Sequence, residues 1–265
     1  MKKRILSLLK LPTSYFLLPT LLLFACSKPD PILPGLRTPV FDGGAVMQEK
    51  GPIPEDILSD GFARIKITEP QTGFEQNLNN EIFEVSDSGE KRKIFAGFPT
   101  TEKINVPRTP VFYKNFVYAG LTTGELVKVN PKTRELAWIA DIFFESDMLG
   151  GGSVLDIVAP VVIDEDRLFA GGMGGEFCRL NMANGHKIWC AHINVATPFV
   201  IAGDLAFVMG ANSVLYALDA RNGTIYWTAK TRRAYTPKPE SADGKYFVRV
   251  GKERFYAATG KLAGK

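Results

Sequence analysis

Only two histidines, His186 and His192, occur in the 265-residue chain, and Cys and Trp number three each. So few imidazoles leave a His-based zinc site without its usual ligands. Phosphate-cradling and nucleophile motifs are missing as well. Gly172 and Gly174 start a G-x-G pattern that meets Phe177 where a third glycine should stand, no G-x-S-x-G elbow surrounds Ser153, and no Walker-type loop occurs. The sequence thus supports no catalytic residue, no cofactor and no metal site. A charge excess of one sign is missing too. The formal +4 is matched by Lys2, Lys3, Arg4 and Lys10 at the start, and the remainder is neutral. A neutral body lacks the basic footprint of a nucleic-acid-binding protein.

What is present begins with Met1-Lys2-Lys3-Arg4, an apolar stretch to Phe24, and Leu23-Phe24-Ala25-Cys26. A positive start, an apolar segment and a small residue at a cut site form a secretory signal. The Cys after Leu-Phe-Ala resembles the bacterial lipobox, which implies cleavage before Cys26 and a lipid on its thiol. Phe24 is bulkier than the residue usual there. An ordinary signal peptide and an uncleaved anchor are the alternatives, although Pro12 and Pro19 interrupt the apolar segment. Residues 1–25 are therefore read as signal and 26–50 as lipidated N-terminus and tether, with four prolines between residues 27 and 41. Ser27 is not the Asp associated with inner-membrane retention, so outer-membrane sorting facing the periplasm is expected.

Residues 51–265 form the expected folded domain, and within it three segments align. They are 109–138 (TPVFYKNFVYAGLTTGELVKVNPKTRELAW), 159–189 (APVVIDEDRLFAGGMGGEFCRLNMANGHKIW) and 197–227 (TPFVIAGDLAFVMGANSVLYALDARNGTIYW). Each places a small residue and Pro before three apolar runs and a closing Trp: Trp138, Trp189 or Trp227. Asn130, Asn181 and Asp219 stand eight residues before that Trp, and Arg134, Gly185 and Gly223 stand four before it. The runs are too short for helices and rich in β-formers. An Asp followed four residues later by Gly, as in Asp219 to Gly223, makes a tight turn into a fourth strand. Four short antiparallel strands per repeat of about 40 residues make a propeller blade, and blades bury their faces by stacking. The expected fold is an all-β propeller of about five blades or an incomplete ring. Equivalent positions in every copy mark the tryptophans as packing residues between blades.

The run from Ser213 to Trp227 resembles the pyrroloquinoline-quinone-type propeller repeat. With the lipobox, a tether ending in LRTPVF and the stretch ATPFVIAGDLAFVM, the chain resembles the BamB family of outer-membrane assembly lipoproteins. That resemblance covers residues 23–41 and about 106–231, and is weak between Asp42 and Lys103. It implies a noncatalytic scaffold with a barrel-assembly outer-membrane protein of the BamA type as partner. The family propeller has eight blades, more than this chain can supply. A quinoprotein dehydrogenase is the enzyme rival, but it implies adjacent cysteines and calcium ligands, and Cys178 and Cys190 are not adjacent.

Cys178 and Cys190 flank the Asn181 to Gly185 turn, which allows a cross-strand disulfide or two free thiols. Asp164-Glu165-Asp166 has calcium-like spacing, yet it aligns with Tyr113-Lys114-Asn115 and reads as the first hairpin turn. Trp138 to Pro160 takes 22 residues where Trp189 to Pro198 takes nine. The surplus contains Phe143, Phe144, Met148 and Leu149, either a partner-binding loop or strands of a poorly matching blade segment. Residues 230–265 hold ten Lys or Arg against Glu240, Asp243 and Glu253. A solvated last blade edge accounts for this tail, with phosphate head groups or an acidic partner as the functional readings.

Overall fold

The computed structural model describes residues 49–68, 72–143, 154–195 and 197–264. Their strands form five antiparallel sheets in chain order, the blades of a β-propeller. Blade I comprises β2 (Phe74–Gln76), β3 (Glu81–Val85) and β4 (Lys91–Ala96). Blade II holds β5 (Val111–Tyr113), β6 (Phe116–Gly120), β7 (Glu125–Asn130) and β8 (Glu135–Asp141). Blade III holds β9 (Val162–Asp164), β10 (Arg167–Gly171), β11 (Phe177–Asn181) and β12 (Lys187–Ala191). Blade IV holds β13 (Val200–Ala202), β14 (Leu205–Met209), β15 (Val214–Asp219) and β16 (Ile225–Lys230). Blade V holds β17 (Lys238–Ala242), β18 (Lys245–Val250), β19 (Glu253–Tyr256) and β20 (Leu262–Gly264).

Successive side chains of a strand point to opposite faces, and each inner blade is packed on both. In β14, Leu205, Phe207 and Met209 enter one apolar cluster with blade V, while Ala206 and Val208 enter another with blade III. This is why LAFVM reads as an unbroken apolar run. Four clusters join I to II, II to III, III to IV and IV to V. Among the described residues no apolar cluster joins V to I.

The closing tryptophans make the joints between blades. A Cβ built on Gly185 would lie 2.7 Å from Trp138, one on Gly223 2.6 Å from Trp189, and one on Gly260 2.5 Å from Trp227. Each indole therefore lies on the bare backbone of the next blade's last turn, where only glycine fits. The corresponding turns of blades II, III and IV are held by Asn130, Asn181 and Asp219, whose Oδ1 atoms accept the amides of Lys132, Ala183 and Arg221. Arg134 fills the glycine position of blade II at φ 61°. In the preceding blade Phe95 holds the register position that Trp138 has in β8, and β4 contains no tryptophan, so no indole needs the space.

The N-terminal segment departs from the repeat. Helix α1 (Glu55–Ala63), which stands outside the repeat, contacts β13, β14, β17 and β18. After it, β1 (Ile65–Lys66) stands where blade I would have its first strand, yet it pairs with β13 of blade IV. Blade I is left with three strands.

Candidate functional site

Antiparallel strands place alternate connections at opposite ends of a blade. The links between blades and the turns between second and third strands lie at one end, here the link end. The remaining hairpins lie at the other, the turn end. The long connection from β8 to β9, which contains the surplus residues, belongs to the link end.

Two side chains hold its root. Arg108, in the link from blade I to II, pairs with Asp156, in the link from II to III, at 2.7 Å, and their side chains are only 2% and 0% exposed. Arg108 also donates to the carbonyls of Ile157 and Ile104, and the Ile104 amide donates to Asp156 Oδ2. The backbone of Asp156 exchanges hydrogen bonds with Met173 in blade III. One buried ion pair thus ties three blades together. Arg108 Nε and Asp156 Oδ1 remain without partners among the described residues. Beside it, fully buried Asn80 donates to Thr122 Oγ1 and the Phe98 carbonyl and accepts the Thr122 amide.

An open cavity of about 470 Å³ lies above this network, lined by Pro99, Thr100, Thr101, Glu102, Thr122, Thr123, Val154 and Leu155. Phe98, which precedes the lining residue Pro99, is 82% exposed. Phe143 is half-buried, forms a bridge to Gly175 and packs so that a Cβ on Gly124 would stand 2.8 Å from its ring. It is an attachment point of the long link to blades II and III. Phe144, Met148 and Leu149 lie outside the described residues, as does Cys26. Sequence reasoning missed Arg108, Asp156 and Phe98. The first two are 48 residues apart with no local pattern to join them, and Phe98 lies in a non-repeating link.

Cys178 and Cys190 sit directly opposite each other on β11 and β12 and are joined by a disulfide, S–S 2.07 Å. Glu176 nearby pairs with Lys187 at 2.6 Å. Glu165 and Asp166 form the β9–β10 turn, and Asp164 pairs with Arg167. His186 is exposed on its hairpin.

The turn end carries a charged seam. Arg167 reaches from blade III to Asp204 of blade IV at 2.9 Å, and Arg221 holds buried Asp219 at 2.7 Å. Burial pushes the Asp219 carboxyl up, but the hydrogen bonds and charge of Arg221 outweigh it and leave the group below its ordinary value. Between blades II and III, burial pushes the Tyr118 hydroxyl up to about 12 and the Lys128 amine down. Lys128 Nζ donates to the Met182 carbonyl at 2.8 Å, an acceptor it shares with Trp138 Nε1. Arg167 and Lys128 tie neighbouring blades together, whereas Arg221 and Asp219 pair within blade IV.

A sequence profile described as outer membrane protein assembly factor BamB matches residues 95–229 and 179–263, together more than half of the chain. The curated protein of that name from Alkalilimnicola ehrlichii is 26% identical over 119 residues, 45% of this chain and 31% of that protein. Its counterpart from Kangiella koreensis is 22% identical over 135 residues, 51% of this chain and 34% of that protein. The matches span about a third of the length of these relatives. Among solved structures, a quinohemoprotein alcohol dehydrogenase, ADHIIG of Pseudomonas putida HK5, superposes with a TM-score of 0.54 at 14% identity, covering 75% of this chain and 42% of that one. At that identity the likeness is one of fold alone.

Proposed function

The chain belongs to the family of outer membrane protein assembly factor BamB, and from that premise we propose that it is a noncatalytic, lipid-anchored scaffold in the machinery that inserts β-barrel proteins into the outer membrane. The observation that carries the reading is the family match across residues 95–263, which takes in the blades with the Trp–Gly joints. Its partner on this reading is a barrel-assembly outer-membrane protein of the BamA type. Cys26 carries the lipid, and residues 26–50 tether the propeller on the periplasmic side. Such a tether raises the effective concentration of the propeller near membrane-bound partners without any added contact.

The link end supports the scaffold role physically. Its long β8–β9 connection is rooted on a rigid base by the Arg108–Asp156 pair, and its apolar residues include Phe144, Met148 and Leu149. Loops on rigid scaffolds are where binding concentrates, and aromatic and Met side chains anchor partners. Phe143 serves to hold the loop, so the test is placed beyond it. Phe144→Ser with Leu149→Ser should abolish co-purification of the barrel-assembly partner while the thermal unfolding midpoint stays unchanged. Undiminished co-purification would exclude the loop as the partner contact.

A further inference from the structure

The basic tail of the sequence folds into blade V, where its cations divide into two groups. Arg249 and Arg254 both pair with Glu240, at 3.2 and 2.7 Å, and Arg254 lies 3.7 Å over the Phe247 ring. Those two cations share one carboxylate within the blade. At the link end, Arg232, Arg233, Tyr235, Val250, Gly251, Lys252 and Glu253 enclose a recess of about 520 Å³. Glu253 accepts the Arg232 amide and lies 3.7 Å from its guanidinium. Arg233 and Lys252 have no acidic partner among the described residues.

The recess is built before any ligand arrives. Thr231 is buried; its amide donates to the Ser213 carbonyl at 2.9 Å, and its hydroxyl lies 3.0 Å from the Arg233 carbonyl, to which it donates. Together with Glu253 it pins both sides of the β16–β17 link. Tyr235 lies on Gly251 so closely that a Cβ there would meet the ring at 2.8 Å, and Tyr235 is still 48% exposed. The recess therefore has an aromatic wall, three cations and one acid, a net charge of two positive.

We propose that this recess binds an acidic peptide segment of a partner protein, with carboxylates between Arg233 and Lys252 and an apolar side chain against Tyr235. Arg matches carboxylate geometry with two parallel donors, and complementary charge governs approach and register. A concave site with an aromatic wall suits a peptide better than a flat bilayer. Lys50, Gly51 and Ile53 donate backbone hydrogen bonds to Ile225, Tyr226 and Ala258 at the turn end, the end of blades IV and V opposite to the recess. The proposal does not depend on which machinery the protein serves.

The test is fluorescence anisotropy of a fluorescein-labelled acidic peptide with a central phenylalanine, titrated with the full chain. The expected result is saturable binding that weakens in about 0.5 M salt, where charges are screened within a few ångströms. Arg233→Gln with Lys252→Gln should weaken it more than tenfold, and Lys245→Gln, a cation at the turn end of the same blade, should leave it unchanged. Circular dichroism monitors the fold, and Lys252→Gln alone serves if the double variant is unstable. Equal loss in Lys245→Gln, or no loss in the recess variants, overturns the site. So does sedimentation with phosphatidylglycerol vesicles that depends on Arg233 and Lys252 while peptide binding does not.

Discussion

Trp227 lies against Gly260 so closely that a methyl group on that glycine would stand 2.5 Å from the indole Cε3, while the indole Nε1 donates to the Ala257 carbonyl three residues earlier. Trp138 repeats the arrangement on Gly185 and Met182, and Trp189 repeats the stacking on Gly223. Gly244 offers a built-in control, since it has a similar φ of 70° with nothing within 4 Å of an added Cβ. Gly244→Ala should therefore cost only the left-handed backbone penalty, about 1–2 kcal/mol. Gly260→Ala adds an overpacking cost of about 1–3 kcal/mol. Urea denaturation of both variants should show Gly260→Ala as the more destabilised; equal losses would mean that the joint yields easily.

The tryptophans are not equivalent in hydrogen bonding. Trp227 Nε1 has its carbonyl at 2.9 Å, whereas Trp189 Nε1 is buried without a partner among the described residues. Trp227→Phe should accordingly destabilise more than Trp189→Phe, by about 1 kcal/mol, the net worth of one hydrogen bond. Chemical denaturation of the two single variants side by side reads this difference.

The repeats made much of this legible. The Asn or Asp eight residues before each Trp, and the Gly four residues before it, report a turn and a docking surface, because backbone chemistry repeats with sequence. Arg134 belongs to the same logic: the last strand of the blade before it has no tryptophan, and Arg92 Nη2 approaches the Pro131 carbonyl at 3.4 Å, the acceptor position used by Trp138 and Trp227 in later joints. What could not be read was whatever the repeat does not encode. The pairing of Ile65 and Lys66 with β13 crosses more than 130 residues, and neither strand partner carries a mark of the other. The Arg108–Asp156 pair is likewise made by two non-repeating links.

Removing one member of that pair leaves a buried charge alone, a loss of about 3–5 kcal/mol. Asp156→Ala should approach this loss and loosen the β8–β9 connection. Arg108→Met with Asp156→Leu should cost less than either single change if the lone buried charge is what makes the single changes costly. Thermal melts of the three variants, with hydrogen exchange at Met173, check both statements.

Acid should loosen the turn end through Asp219. Its folded pKa lies below the ordinary value, so its contribution is fully present above the unfolded value of about 3.9 and is lost as pH falls through the folded pKa. Asp219→Asn removes that dependence. The variant should be less stable than the parent at neutral pH, and the gap between them should narrow below about pH 4. A constant gap down to pH 2 in urea titrations would contradict the assignment.

The proposed scaffold role meets its most direct test in affinity capture of the full chain from solubilised envelopes, with the bound proteins identified by mass and the eluate scanned for visible absorbance. The expected result is a barrel-assembly outer-membrane protein of the BamA type in stoichiometric yield and no chromophore. A bound quinone-like chromophore with no barrel-assembly component would contradict that role.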